Sequence, residues 1–127
     1  MHKNLMYICF RKIENVSKNH LYKGTLTTVI LQLLSDEGRM YGYEIAKRAK
    51  ELTKGDLDIT EGALYPALHK LEAQGFLDTE RVEVGNRTRK YYKLTETGNK
   101  EATHRIAELT EYVKNLQNFL NPQLSNG

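Results

Sequence analysis

The sequence predicts a mainly α fold of the α+β kind, with three short helices, one two-stranded hairpin and a long last helix. Three observations predict it. Apolar residues recur at helical spacing in three segments between residues 25 and 75, each closed by a glycine. One Gly85-Asn86 turn separates two β-favouring runs. Residues 102–120 then carry an apolar seam with a period near 3.5 residues. The 127 residues amount to one domain's worth of sequence, with 39% hydrophobic and 28% charged side chains, the balance of an ordinary globular protein.

Residues 1–20 place Met6, Cys9, Ile13 and Val16 at steps of 3, 4 and 3, which suits an amphipathic helix; a basic tail is the other reading. Thr25 offers a hydroxyl to cap the next helix, expected over 25–36. Leu26, Val29, Ile30, Leu33 and Leu34 form its core stripe, and Gly38 offers a left-handed stop. After Tyr41-Gly42-Tyr43, the residues Ile45, Ala46, Ala49 and Leu52 mark one face of a second helix, which ends at Lys54-Gly55-Asp56.

Thr60 is placed to cap a third helix that buries Leu64, Leu68 and Leu71 and closes at Gly75. Pro66 falls inside it. The carbonyl that its ring displaces belongs to Gly62, whose backbone adjusts at low steric cost. Two antiparallel strands are expected over 77–84 and 88–94. Thr95-Glu96-Thr97-Gly98 opens the last helix, with Ala102, Ile106, Leu109, Val113, Leu116 and Leu120 along its seam, and Asn121-Pro122 ends it.

The formal charge of +3 and pI near 8.9 permit a nucleic-acid partner without requiring one. Its distribution says more. Residues 1–24 carry +4, residues 25–99 carry −1, and residues 100–127 are neutral. Arg81, Arg87, Arg89, Lys90 and Lys93 crowd one short stretch that holds a single acid, Glu83. The lone cysteine, Cys9, excludes an internal disulfide and a cysteine-based zinc cluster. No apolar run reaches the ~18 residues of a membrane span, and charges interrupt the first twenty residues, unlike a secretory signal. A soluble cytoplasmic protein with no membrane partner is expected. The histidines are scattered, without an HExxH pair, a glycine-rich phosphate loop or a nucleophile elbow, so the expectation is no enzyme, no metal and no cofactor.

Three helices followed by a hairpin are the element order of a winged helix-turn-helix, whose third helix lies in the DNA major groove while the hairpin, or wing, reaches a neighbouring groove or the backbone. Here the wing carries Arg87, Arg89 and Lys90 at and after its turn, which suits phosphate contact and narrow-groove insertion; a solvated polar hairpin is the other reading. At about 100° per residue, Gly62, Pro66, His69 and Ala73 lie opposite Leu64, with Ala63 and Lys70 on one flank and Tyr65 on the other. The small Gly62 and Ala63 allow close backbone approach, and His69 and Lys70 donate to phosphates or guanine acceptors. For His69 an inert surface position competes with that role, and for Tyr65 core packing does.

At this point the residues resemble a known family. Tyr41-Gly42-Tyr43-Glu44-Ile45, the run from Thr60 to Glu72, Gly75-Phe76-Leu77 and the run from Arg89 to Gly98 resemble the PadR-like transcriptional regulators, over about residues 21–98. The resemblance implies winged-helix homodimers, mostly repressors, with residues 60–74 as recognition helix and Arg87, Arg89 and Lys90 in the wing. Its implied DNA contacts fall on Tyr43, Thr60, Glu61, Gly62, Ala63, Tyr65, Pro66, His69 and Lys70 together with those three. Glu61 and Ala63 stand where the family often has Pro and Thr, and His69-Lys70 where it often has paired arginines, so no relative's operator carries over. With one helix after the wing, the chain looks like the short-tailed subclass.

Independently of the family, a helix of some 25 residues is ~37 Å long and outreaches a single winged domain, so a partner helix is expected to bury the seam. Folding back of residues 1–20 is the alternative cover. The expected layout is therefore an N-terminal helix or tail over 1–20, a winged domain over 21–98, a dimerisation helix over 99–121 and a tail over 122–127. A two-fold dimer sets its recognition helices roughly 34 Å apart and implies a palindromic site on double-stranded DNA. Two readings follow: a dimeric DNA-binding regulator, or a winged-helix module that binds protein without DNA. Tyr112 and Phe119, with Tyr7 and Phe10, suit a small aromatic effector near the seam, although an ordinary packed interface is the favoured reading. The chain has no Trp to stack such a ligand.

Overall fold

The computed structural model describes Tyr22 and residues 24–121. The expected helix or tail over 1–20, with Tyr7, Cys9 and Phe10, and the tail over 122–127 lie outside the described residues. Helix α1 (Leu26–Glu37) buries Ile30, Leu31, Leu33 and Leu34. It stops as expected at Gly38, whose φ of 88° lets its N–H reach the Leu34 carbonyl at 3.0 Å. Thr25 holds the N-cap position but does not cap with its side chain. Instead its hydroxyl donates back to the Tyr22 carbonyl at 2.9 Å, as its own N–H does, because a turn enters the helix here.

Strand β1 (Arg39–Tyr41) follows at once, and the sequence reading missed it. Three residues are too short to show a period, and its pairing is entirely non-local. Helix α2 (Gly42–Leu52) starts with the Glu44 carboxylate accepting the Tyr41 N–H at 3.1 Å. It buries Ile45 and Ala49 but leaves Leu52 58% exposed, contrary to expectation. Leu52 is the last residue of the helix, at the rim of an apolar hollow rather than in the core. Leu57 and Ile59 then turn inward to the core.

Helix α3 (Glu61–Ala73) contains Pro66 and buries Leu64, Leu68 and Leu71. The Thr60 hydroxyl accepts the Ala63 N–H at 3.3 Å, the cap the sequence predicts. At the other end Phe76 N–H reaches the Leu71 carbonyl at 3.0 Å around Gly75, with φ 83°. Strands β2 (Leu77–Val84) and β3 (Arg87–Leu94) form the hairpin, with Val84 opposite Arg87. Gly85 takes φ 62° at the first central position of this two-residue turn, the place where a type II′ turn requires glycine. Met40 of β1 pairs with Tyr92, so the antiparallel sheet has three strands in the order β1-β3-β2.

Helix α4 (Glu96–Leu120) is 25 residues long and packs its first half along α1. The apolar seam therefore divides. Ala102 is buried within the chain, Ile106 packs on the core and Leu109 is half-buried. From Glu111 onward every residue of the helix is exposed, including Tyr112, Val113, Leu116, Phe119 and Leu120.

A short knot holds α4 to the winged part. Thr95 N–H donates to the Phe76 carbonyl at 3.0 Å, and its hydroxyl donates to the Gly75 carbonyl at 2.7 Å while accepting Gly98 N–H at 2.9 Å. Gly98 is buried, and a Cβ built there would stand 1.9 Å from the Phe76 carbonyl oxygen. We expect Gly98→Ala to destabilise the protein by about 1–3 kcal/mol, as overpacking against backbone does. This holds although alanine is the better helix former by roughly 1 kcal/mol. Urea unfolding of both forms measures the difference.

Candidate nucleic-acid interface

Helix α3 turns its apolar stripe to the core, so the opposite face is free. Gly62, Ala63, Pro66, His69, Lys70 and Ala73 are exposed, as the angular reading places them, and so are Thr60 and Glu61. A Cβ at Gly62 would meet only the Thr60 hydroxyl, at 4.0 Å, so internal packing does not demand glycine there. Tyr65 packs against the start of α2 and is also partly open to solvent. The residue is 37% exposed, yet its hydroxyl would lie 2.6 Å from a Cβ on Gly42, so Gly42 is where α2 lets α3 approach.

In the wing, the register separates residues that the sequence presents as one cluster. Successive strand residues face opposite sides. Tyr92 is buried, so Lys90 and Thr88 share its inward face, toward α3. Arg87, Arg89, Tyr91 and Lys93 take the outward face, joined by Arg39 and Tyr41 of β1.

Two of the outward arginines, Arg89 and Arg39, lie on tyrosines. The Arg89 guanidinium stands 4.5 Å from the Tyr41 ring centroid, and Tyr41 in turn stacks on the exposed Tyr43, 6.2 Å away and 16° from parallel. Arg39 covers Tyr91 at 4.8 Å and forms an ion pair with Glu80 at 2.9 Å. Tyr91 meets the Tyr41 ring edge-on at 5.4 Å. Such stacking holds a guanidinium in place while leaving its edge free to donate. Sequence reasoning missed Arg39 and Tyr41 because it missed β1; the one available signal was the polar–apolar–polar alternation Arg39-Met40-Tyr41 after Gly38.

Between α3 and β3 runs a cleft of about 320 Å³ with Gly42, Tyr65, His69, Thr88 and Lys90 on its walls. It joins the free helix face to the wing, where Tyr41 and Arg89 also border it. Among the described residues no helix is long and apolar enough to cross a membrane, and no three His, Cys, Asp or Glu side chains are grouped to hold a metal.

An exposed helix face beside a basic hairpin, both set on a three-helix core, defines the class of winged-helix regulators. Residues 30–104 match the model of the transcriptional regulator PadR-like family, and the chain belongs to that family. Among curated relatives, a segment of 65 residues is 35% identical to the transcriptional regulator Rv3488 of Mycobacterium tuberculosis, covering 51% of this chain and 61% of that protein. Over 75 residues, 59% of this chain is 36% identical to the transcriptional regulator YqjI of Escherichia coli but spans only 34% of it.

Solved structures agree. A transcriptional regulator from Clostridium thermocellum is 33% identical, with a TM-score of 0.70 over 80% of this chain and 98% of that one. Bacillus subtilis PadR, solved in complex with operator DNA, is 30% identical, with a TM-score of 0.58 over 64% of this chain and 46% of that one.

Tyr92 joins this surface to the core. It is 1% exposed, and burial raises the pKa of its phenol above the ordinary value, with the nearby Lys90 ammonium pulling the other way. Raised means that the folded state disfavours the phenolate. The stabilisation is complete below the unfolded tyrosine pKa near 10 and is lost as pH rises through the folded value. We therefore expect unfolding free energy to fall more steeply above about pH 10 in the wild type than in Tyr92→Phe, by up to ~1.4 kcal/mol per pH unit. Urea unfolding across pH 8–11 reads that difference in slope.

Proposed function

We propose that this chain is a sequence-specific DNA-binding repressor that works as a homodimer on a palindromic operator in the cytoplasm, without a cofactor or catalytic activity. The observation that carries the reading is the joint exposure of the α3 outer face and the basic wing, connected by one cleft. Residues 21–98 form the DNA-binding unit. The first turn of α3, with Glu61, Gly62 and Ala63, enters the major groove; Tyr43, Thr60, Tyr65, Pro66, His69 and Lys70 flank it, and Arg87, Arg89 and Lys90 contact the backbone. The similarity to a PadR protein solved on operator DNA supports this assignment. The uncovered stripe of Val113, Leu116 and Leu120, with Tyr112 and Phe119, supports a dimer through residues 99–121, since a monomer rarely leaves so many large apolar side chains of one helix in water. The apolar hollow of about 230 Å³ between α1, the end of α2 and α4, lined by Tyr22, Leu33, Leu52, Ile106 and Leu109, has room for a small apolar effector.

Two measurements test this. Arg87→Ala with Arg89→Ala should weaken binding about tenfold or more on every duplex and reduce the slope of log K against log salt by about two. A wild type that binds no duplex at low salt, yet is dimeric, would instead be a winged-helix module for protein partners. Leu116→Asp should convert the dimer to a folded monomer in sedimentation analysis, because Leu116 is already 41% exposed within one chain. Retention of a dimer would place the interface elsewhere.

A further inference from the structure

One wing cation is already spoken for by the recognition helix. Glu72 lies in the last turn of α3, on the side that carries Tyr65 and His69 at spacings of seven and three residues. Its Oε1 is 3.6 Å from Lys90 Nζ. Lys90 sits on the inward face of β3, so its ammonium points across the cleft, 5.3 Å from the Tyr92 ring centroid. Both partners keep about a third of their side chains exposed, 33% for Lys90 and 35% for Glu72. Arg87, by contrast, is exposed at the wing tip and makes no ion pair among the described residues.

The wing does not depend on this ion pair for its position. The β1–β3 ladder, the buried Leu77 and the buried Tyr92 already fix it to the core. A pair so accessible to water contributes little to stability. Its consequence is electrostatic: a DNA phosphate arriving at Lys90 must displace the Glu72 carboxylate and then face it. We propose that Glu72 is an internal competitor for Lys90, holding the lysine in the free protein and yielding it to a backbone phosphate, and so sets the affinity and salt dependence of operator binding. Glu72 is thus a positioning residue that acts through Lys90. This inference rests on the DNA-binding reading above.

The test uses the full chain and a duplex selected by the wild type from a random pool, with binding measured across a salt series. Five proteins are compared: wild type, Glu72→Gln, Glu72→Ala, Lys90→Gln and the Glu72→Gln/Lys90→Gln double variant. Glu72→Gln should tighten binding by about tenfold near 0.1 M salt and steepen the salt slope by about one, the signature of one more counterion released per complex once no carboxylate offsets Lys90. In the Lys90→Gln background the same change should alter affinity less than about twofold, since the residue it acts through is gone. Glu72→Ala should repeat the direction and guards against a particular effect of glutamine. If the wild type binds while Glu72→Gln binds equally or more weakly, or gains equally in both backgrounds, the inference is overturned. A wild type that binds no duplex overturns the DNA-binding reading itself and this inference with it.

Discussion

The contact between the Phe76 carbonyl and the bare Cα of Gly98 governs how the halves of this protein are joined. A helix backbone and a loop carbonyl approach there more closely than any side chain would permit. Thr95 locks the approach with three hydrogen bonds, two to the end of the α3 loop and one into the first turn of α4. The direction in which α4 leaves the domain is therefore fixed relative to α3, through the few residues between Gly75 and Leu77. Arg105 strengthens the junction by lying 5.8 Å from the Phe76 ring centroid and 3.4 Å from Glu101. Because α4 carries the exposed apolar stripe and α3 the free outer face, one close backbone contact sets the geometry between the two surfaces.

Helix α1 completes that rigid frame. It packs against α4, α2, α3 and all the way to β1 and β3. This explains why Leu31 is fully buried although it lies off the stripe read from the sequence: α1 is enclosed on more than one side. It also explains the division of the α4 seam. A heptad pattern tells that apolar residues line up but not what covers them, and here α1 covers the first part while the rest stays open.

Much of the fold was legible because its signals are local. The helix stripes, the glycine stops, the Thr60 cap and the Gly85-Asn86 turn all depend on residues within a few positions of one another. What was not legible depends on distant pairing. Strand β1 exists because Met40 meets Tyr92, and without β1 neither Arg39 nor Tyr41 joins the wing. The three wing cations Arg87, Arg89 and Lys90 read as one cluster in the sequence, yet Lys90 turns to the opposite face and finds Glu72. Strand alternation contained that separation. Its consequence needed to know which face α3 covers.

The electrostatics of the surface follow from the same pairing. A charge count finds a basic hairpin, but Arg39 is matched by Glu80 and Lys90 by Glu72, each partner brought in by tertiary structure. Arg89 is held by an aromatic ring rather than by a carboxylate, so its charge is oriented without being cancelled. Among the described residues Arg87 and Arg89, with Lys93 on the same outward face and Arg81 on β2, make no ion pair. Unmatched charge of this kind attracts a polyanion without regard to its sequence, so on the proposed DNA-binding function sequence discrimination is left to the outer face of α3. Under that proposal the small, open surface at Gly62 and Ala63 discriminates by shape, which the charge counted from composition does not.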